Sequence, residues 1–263
     1  MKKLIYLLVL FYAALLSAQD KKWSLTKRDT IAFHADAYIG FDSFGAQYYI
    51  KNNVFIKKTK TQIWQYKNLS FGKISNVDIQ NPLNIVLFYE DFNTVILLDN
   101  QLNETQRINF SENSIPILAT ATGLAFGNRL WIYNNLSQQI GLFDFLKSEY
   151  KIITTPFNGT IVYYSSDYNT FQWIDEEQNW YECSIFGKVR LVGKVPGFDT
   201  VQVLSDSELI FRKGNALYNY ALNGNKSTLI EFDKKTFEKF YYKDQILSIF
   251  TVEGITNYKI TIP

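Results

Sequence analysis

From residue 37 onward the chain alternates short apolar or aromatic runs with polar turns, the pattern of strands joined by tight connections rather than of helices. Six stretches align one above another: GAQYYIKNNVFIKK (45–58), NIVLFYEDFNTVILLD (84–99), RLWIYNNLSQQIGLFDF (129–145), TFQWIDEEQNWYECSIF (170–186), ELIFRKGNALYNYAL (208–222) and QILSIFTVEGITNYKI (245–260). Each holds two β-branched or aromatic runs around a polar turn, which predicts a β-hairpin. The first runs begin at 46, 85, 130, 170, 209 and 246, at intervals of 39, 45, 40, 39 and 37 residues. That period is the length of one four-stranded propeller blade.

A further run precedes and follows each hairpin. In the fifth repeat these are Asp199 to Ser205 and, after Asn223-Gly224-Asn225, Thr228 to Phe232. Asn-Gly predicts a tight hairpin turn with positive φ at both central residues. The sixth repeat opens near Phe237 to Lys243, and no fourth strand follows its hairpin. The spare strand-like segment is Trp23 to Phe33, just before the first repeat's opening strand at Ala37 to Phe41, so it is expected to complete the last blade and cover its edge. The expected fold is all-β: a six-bladed β-propeller of four-stranded blades, closed by the N-terminal strand, with residues 19–263 as a single domain. A β-sandwich or up-and-down barrel of similar strand count is the alternative, but such folds rarely keep a period near 40 through six copies. Phe232 to Tyr242, the nearest thing to a helix, is assigned mainly to strand.

Residues 1–18 are set apart from this pattern. Met1-Lys2-Lys3 is a basic start, Leu4 to Leu16 is apolar, and Ser17-Ala18 precede polar Gln19-Asp20, as in a secretory signal peptide. No Cys follows the apolar stretch to accept a lipid, so the mature chain is expected to be exported, soluble and periplasmic, without direct membrane insertion. Removing the leader takes away Lys2 and Lys3, lowering the basic residues from 27 to 25 against 25 acidic ones. A chain without positive surplus is a poor nucleic-acid binder.

The chemistry-bearing residues are few. The 263 residues include one His and one Cys, too few for a disulfide or a structural zinc site within the chain. His34 reads as a strand-end residue, and Cys183, on the third strand of the fourth repeat, as a small buried hydrophobe. Asp175-Glu176-Glu177 forms a hairpin turn able to meet a cation but reads as a solvated acidic turn. Ser165 to Trp173 is only a degraded likeness of an Asp-box. No catalytic residue, cofactor or metal site is predicted. Two hairpin turns carry apolar groups that look exposed, Phe92 and Leu136, and these are the candidate interaction residues.

Tyr38 to Phe110, with the turn Asp78-Ile79-Gln80-Asn81-Pro82-Leu83 and the hairpin end Leu97-Leu98-Asp99-Asn100-Gln101-Leu102, resembles a family of exported propeller-like proteins of Bacteroidota. The resemblance is firmest over about 70 residues. It implies envelope protein partners, and the subunit is similar in size and type to the plug that closes the periplasmic mouth of the type IX secretion translocon. No catalytic residue is implied. In that phylum Asp29-Thr30-Ile31 and Asp199-Thr200-Val201 match an O-glycosylation sequon, making Thr30 and Thr200 candidate modified residues. Two functional classes follow: a non-catalytic interaction subunit, or a carbohydrate-binding or carbohydrate-active propeller using Asp42, Asp78 or Asp175 if those acids converge on the central channel.

Overall fold

The computed structural model describes residues 23–32, 34–233 and 236–261; the expected leader lies outside them. The first strand, β1 (Ser24–Ala32), stands apart from the chain order of the blades. Blade 1 follows as β2 (Ala37–Phe41), β3 (Gln47–Lys51), β4 (Val54–Lys58) and β5 (Ile63–Tyr66). Blade 2 is β6 (Asn76–Asp78), β7 (Ile85–Tyr89), β8 (Thr94–Leu98) and β9 (Glu104–Asn109). Blade 3 is β10 (Ala119–Ala125), β11 (Arg129–Asn134), β12 (Gln139–Asp144) and β13 (Glu149–Ile152). Blade 4 is β14 (Ile161–Ser166), β15 (Thr170–Asp175), β16 (Asn179–Ser184) and β17 (Val189–Lys194). Blade 5 is β18 (Thr200–Val203), β19 (Glu208–Lys213), β20 (Ala216–Ala221) and β21 (Lys226–Ile230). Blade 6 takes β22 (Lys239–Lys243), β23 (Ile246–Thr251) and β24 (Gly254–Thr261) from the end of the chain.

The fourth strand of blade 6 is β1, which pairs antiparallel with β24 from Ser24 opposite Thr261 to Ala32 opposite Gly254. The six sheets are antiparallel meanders, and β22 of the last blade lies against β2 of the first. The chain is a six-bladed β-propeller closed by its own N-terminal strand. A strand in the middle of a blade has a neighbouring blade on each face, so its apolar pattern is continuous rather than alternating. β7 and β8 are buried at every position.

Each seam between blades has its own core. Val86, Phe88, Leu130, Ile132 and Phe143 fill the seam of blades 2 and 3; Trp131, Phe171, Trp173 and Cys183 fill that of blades 3 and 4. The closing seam between blades 6 and 1 is thinner: among the described residues only Tyr38, Phe250 and Ile255 are fully buried there. A polar relay ties together the strands of blade 6 beside it: the Ser248 hydroxyl of β23 donates to Asn257 Oδ1 of β24 at 2.7 Å and Asn257 Nδ2 donates to Asp29 of β1 at 2.7 Å, while the Tyr38 hydroxyl donates within blade 1 to Gln47 Oε1. Gly40 lets the seam close: a Cβ there would stand 2.6 Å from the Tyr241 ring, and its φ of +147° is one that side chains rarely adopt.

Two local expectations change. The two-residue turns with positive φ at both positions are Asn52-Asn53 and Asp244-Gln245. The turn at Asn223 to Asn225 is longer, spanning 222–225, and only Gly224 and Asn225 have positive φ, because the turn is closed by the Asn225 N–H donating to Leu222. Among the described residues of the segment 232–242, strand is formed only within Lys239–Lys243, while Phe232 and Phe237 are used as an edge-to-face pair, 5.2 Å between ring centroids, under the blade 5–6 seam.

Candidate functional site

Three surfaces of the ring are open to other molecules: the central channel, the upper face made by second-to-third-strand turns and blade-to-blade connections, and the lower face made by the remaining turns. The innermost strands β2, β6, β10, β14, β18 and β22 surround a channel cavity of about 430 Å³. Asp78 and Lys243 are the charged residues on its lining. Asp78 clasps two blades: Oδ1 accepts from Gln80 N and Oδ2 from Leu124 N, both at 2.8 Å. Desolvation raises the Asp78 carboxyl above its ordinary range, against the lowering effect of those two donors. A similar clasp joins blades 5 and 6, where Gln202 donates to Tyr242 O at 2.7 Å and accepts from Tyr242 N at 2.8 Å.

The three acids named from sequence do not converge. Asp42 follows β2 and is consumed in its own turn, accepting from Phe44 N, Ala46 N and the Tyr48 hydroxyl, all at 2.9 Å. Asp175 ends β15 and holds the next hairpin, accepting from Asn179 N at 2.8 Å and Asn179 Nδ2 at 2.9 Å. Only Asp78 reaches the channel. Among the described residues no group of three His, Cys, Asp or Glu is placed to hold a metal ion.

His34 is exposed in the connection from β1 to β2. Cys183 is fully buried against Ala121, Trp131 and Phe171, and burial pushes its thiol up to about 12, with the Glu182 charge adding to the shift. Of the candidate glycosylation residues, Thr30 is exposed on β1, whereas Thr200 opens the innermost strand of blade 5 with its hydroxyl oxygen buried.

Phe92 and Leu136 both lie in second-to-third-strand turns of the upper face. Leu136 is 62% exposed. Phe92 is 48% exposed because its ring meets Phe71, in the connection between blades 1 and 2, edge-to-face at 5.9 Å. It therefore has a packing partner of its own. The upper face also exposes Leu69 and Val252.

The lower face carries larger aromatic groups that sequence reading missed. Phe186 is 92% exposed, Phe44 87% and Phe126 63%, with Leu83 and Leu146 also exposed beside them. Neighbouring turns are stitched together: Phe126 N donates to Tyr168 O at 2.8 Å, Phe145 N to Asn128 O at 3.1 Å, and Ile185 N to Asn169 O at 2.7 Å. Between them lies a groove of about 380 Å³ floored by Leu124, Ala125, Phe126, Phe145 and Tyr168.

The tips of this face are also held individually. Phe44 N donates to Asp42 Oδ1, Leu83 N to Asn81 Oδ1 at 3.0 Å, and Leu146 N to Asp144 Oδ1 at 3.1 Å. In each case an Asp or Asn two residues earlier folds the turn around its own side chain and fixes the apolar tip in an outward position. The sequence signal is an Asx residue two places before an exposed Phe or Leu, in Asp42-Ser43-Phe44, Asn81-Pro82-Leu83 and Asp144-Phe145-Leu146.

No protein-family model matches the chain, and no curated protein sequence matches it significantly. Solved structures share its fold. A virginiamycin B lyase from Staphylococcus aureus is similar with a TM-score of 0.58 at 13% identity, over 86% of this chain and 80% of the lyase. The β-propeller domain of Cps50 (Swd1) from Myceliophteria thermophila is similar with a TM-score of 0.60 at 10% identity, over 90% of this chain and 100% of that one. A member of the DUF4221 family from Bacteroides vulgatus is similar with a TM-score of 0.56 at 9% identity, over 93% and 99%. At these identities each likeness is one of fold, and the Bacteroides protein carries that fold in the phylum whose exported propellers residues 38–110 resemble.

Proposed function

We propose that this chain is a non-catalytic docking subunit of an exported protein assembly, and that it grips its partner through the lower face. The observation that carries this reading is the set of outward apolar tips, Phe44, Leu83 and Leu146, each pinned by a side chain two residues earlier. Burying a Phe or Leu side chain is worth about 1.5–3 kcal/mol, while ordering a free side chain at an interface costs about 0.5–1.5 kcal/mol. Turns whose backbone is already fixed lower that cost, so the face is prepared for a partner. No folding requirement accounts for a phenylalanine as open as Phe186, since its ring adds nothing to the buried clusters of its own blade.

In its finer form the reading makes the subunit a plug at the periplasmic mouth of a type IX secretion translocon. This rests on the resemblance of residues 38–110 and on the shape of a closed ring whose lower face carries exposed aromatic tips, which suits capping a pore. No helix among the described residues is long and apolar enough to cross a membrane, so the protein would be held there by protein contacts. The alternative reading, a carbohydrate-binding or carbohydrate-active propeller, would be favoured by several acids converging on one face, and of Asp42, Asp78 and Asp175 only Asp78 lines the channel.

Gentle extraction of the tagged protein tests both levels. A docking subunit elutes well above the mass of a single chain, and a plug brings the translocon channel with it and leaves cells permeable to a large hydrophilic antibiotic when deleted. Elution as a free monomer removes the docking reading; a stable complex lacking the channel removes only the plug.

A further inference from the structure

Each blade ends in an outer strand whose far edge pairs with no other strand among the described residues: β1, β5, β9, β13, β17 and β21. The β17 edge differs from the rest. β5, β9, β13 and β21 each bury at least one residue, and β1, which buries none, keeps its large apolar residues Leu25 and Ile31 half-buried. β17 buries none and is the only outer strand with two large apolar residues exposed, Val189 at 40% and Leu191 at 59%. They stand opposite Cys183 and Tyr181, so both side chains lie on the face of blade 4 turned toward blade 3.

The strand is held at its ends and open in its middle. At one end Gly187 abuts blade 3: a Cβ there would stand 2.0 Å from Ile153 O, and its φ is +83°. At the other, a Cβ on Gly193 would stand 2.4 Å from Leu222 Cδ1 of blade 5, and Lys194 O accepts from the Tyr220 hydroxyl at 3.0 Å. Between these anchors Lys188 O accepts from Ser184 N at 3.0 Å, which sets the alternation of the ladder. Lys188 and Arg190 turn their backbone groups toward β16, and Val189 and Leu191 turn theirs to the open edge. Val192 is the extra residue of a bulge, since Leu191 pairs with Tyr181 and Gly193 with Trp180, and it ends the flat stretch. The edge thus presents the N–H and C=O of two residues already fixed in extended form.

Charge selects the occupant. Residues 185–195 hold Lys188, Arg190 and Lys194 and no acid, and β17 is the only outer strand with two basic residues and no acidic one. Arg190 is satisfied within the blade by Glu182, with two contacts of 3.1 Å, whereas Lys188 and Lys194 are exposed and have no ion-pair partner among the described residues. A second copy of this chain pairing edge to edge would set these cations against one another, a device by which edge strands avoid self-pairing. We infer that β17 accepts an extended segment of a partner protein as a fifth strand of blade 4, a segment in which apolar residues that cover Val189 and Leu191 alternate with Asp or Glu that meet Lys188 on the other face. A strand fixed before binding loses little freedom on binding, so a short segment suffices. The inference extends the docking reading without resting on it, because edge pairing is read with a peptide alone.

A short labelled peptide in which valine alternates with glutamate tests it, followed by fluorescence anisotropy and by amide hydrogen exchange of the protein. The expected result is saturable binding that slows exchange at Val189 and Leu191. Binding should weaken at least tenfold when lysine replaces glutamate, when the peptide is N-methylated along its pairing edge, or when the protein carries Leu191→Pro, which removes an outward N–H that β16 does not use. Melting curves accompany Leu191→Pro, and Lys188→Glu, at an exposed site, gives a reading that no folding defect can mimic: it should weaken the glutamate peptide at least fivefold. Absence of saturable binding, equal binding of the N-methylated or lysine peptide, or unchanged exchange at Val189 and Leu191 would each overturn the inference. So would a dimer of the protein that Leu191→Pro dissolves, since a second copy would then hold the edge. Failure of the peptide while partners still co-purify would overturn this inference and leave the docking reading in place.

Discussion

Asn257 on β24 donates from Nδ2 to Asp29 Oδ1 on β1 at 2.7 Å, and this bond links two residues 228 positions apart across the strand pair that closes the ring. Asn257 is buried, and its Oδ1 accepts from the Ser248 hydroxyl at 2.7 Å. The amide is thus committed on both sides, which also fixes its orientation. Removing Asp29 leaves a buried NH₂ without its acceptor, whereas the exposed ion pair of Asp29 with Arg28 contributes little. Asp29→Ala is expected to cost about 1–3 kcal/mol, and a double-mutant cycle with Asn257→Ala should show coupling of the same order. Additive single effects in thermal melts would show that the relay does not hold β1 onto β24.

Deleting β1 removes a nine-residue strand and exposes the edge of β24. The variant lacking residues 24–32 is expected to aggregate or to melt far below the parent. Cooperative melting at the parent temperature would mean that the ring closes without its N-terminal strand.

Gly40 has a sharper requirement. Gly40→Ala forces a methyl group to within 2.6 Å of the Tyr241 ring at a φ of +147°, so the ring must move and the backbone is strained. A loss of roughly 2–4 kcal/mol is expected, in the range of overpacking plus backbone strain. Urea unfolding measures it, and a loss below about 0.5 kcal/mol would show that the seam is looser than its geometry.

Alkaline pH should unfold the protein. Burial pushes Tyr66, Tyr150, Tyr241 and the Cys183 thiol up to about 12, from ordinary values of 10.0 for tyrosine and 9.0 for the thiol. A raised pKa means that the folded state holds the proton more tightly than the unfolded state. The stability from these groups is therefore complete below pH 9 and is lost as pH rises from about 9 through 12. The melting temperature should fall across that window, and Cys183 should resist alkylation at pH 8 until denaturant is added. Rapid alkylation of the native protein would contradict its burial.

Much of this architecture was legible in the chain. The hairpin stretches of all six repeats coincide with β3–β4, β7–β8, β11–β12, β15–β16, β19–β20 and β23–β24, because middle strands buried on both faces write continuous apolar runs. Ring closure followed from the unpaired edge that a missing strand would leave. The site was less legible, for a physical reason. Whether Asp42 faces a channel or folds back onto Phe44 N depends on the turn around it, and the Asx turns at Asp42, Asn81 and Asp144 decide at once where the carboxylate or amide goes and where the apolar tip points. Phe92, read as exposed beside Glu90 and Asp91, is exposed, and the ring it also meets, Phe71, lies 21 residues earlier in another connection. Such pairings leave no periodic trace.

The most direct test of docking through the lower face compares two folded variants in co-purification from gently lysed cells: Phe44→Asp with Phe186→Asp, and Phe92→Asp with Leu136→Asp, each first shown to be folded by its melting curve. The account predicts that the first pair loses its specific partners at least tenfold relative to the parent while the second pair retains them, since fully exposed tips can be changed without touching the core. Full recovery of the same partners by the Phe44→Asp, Phe186→Asp protein would contradict it.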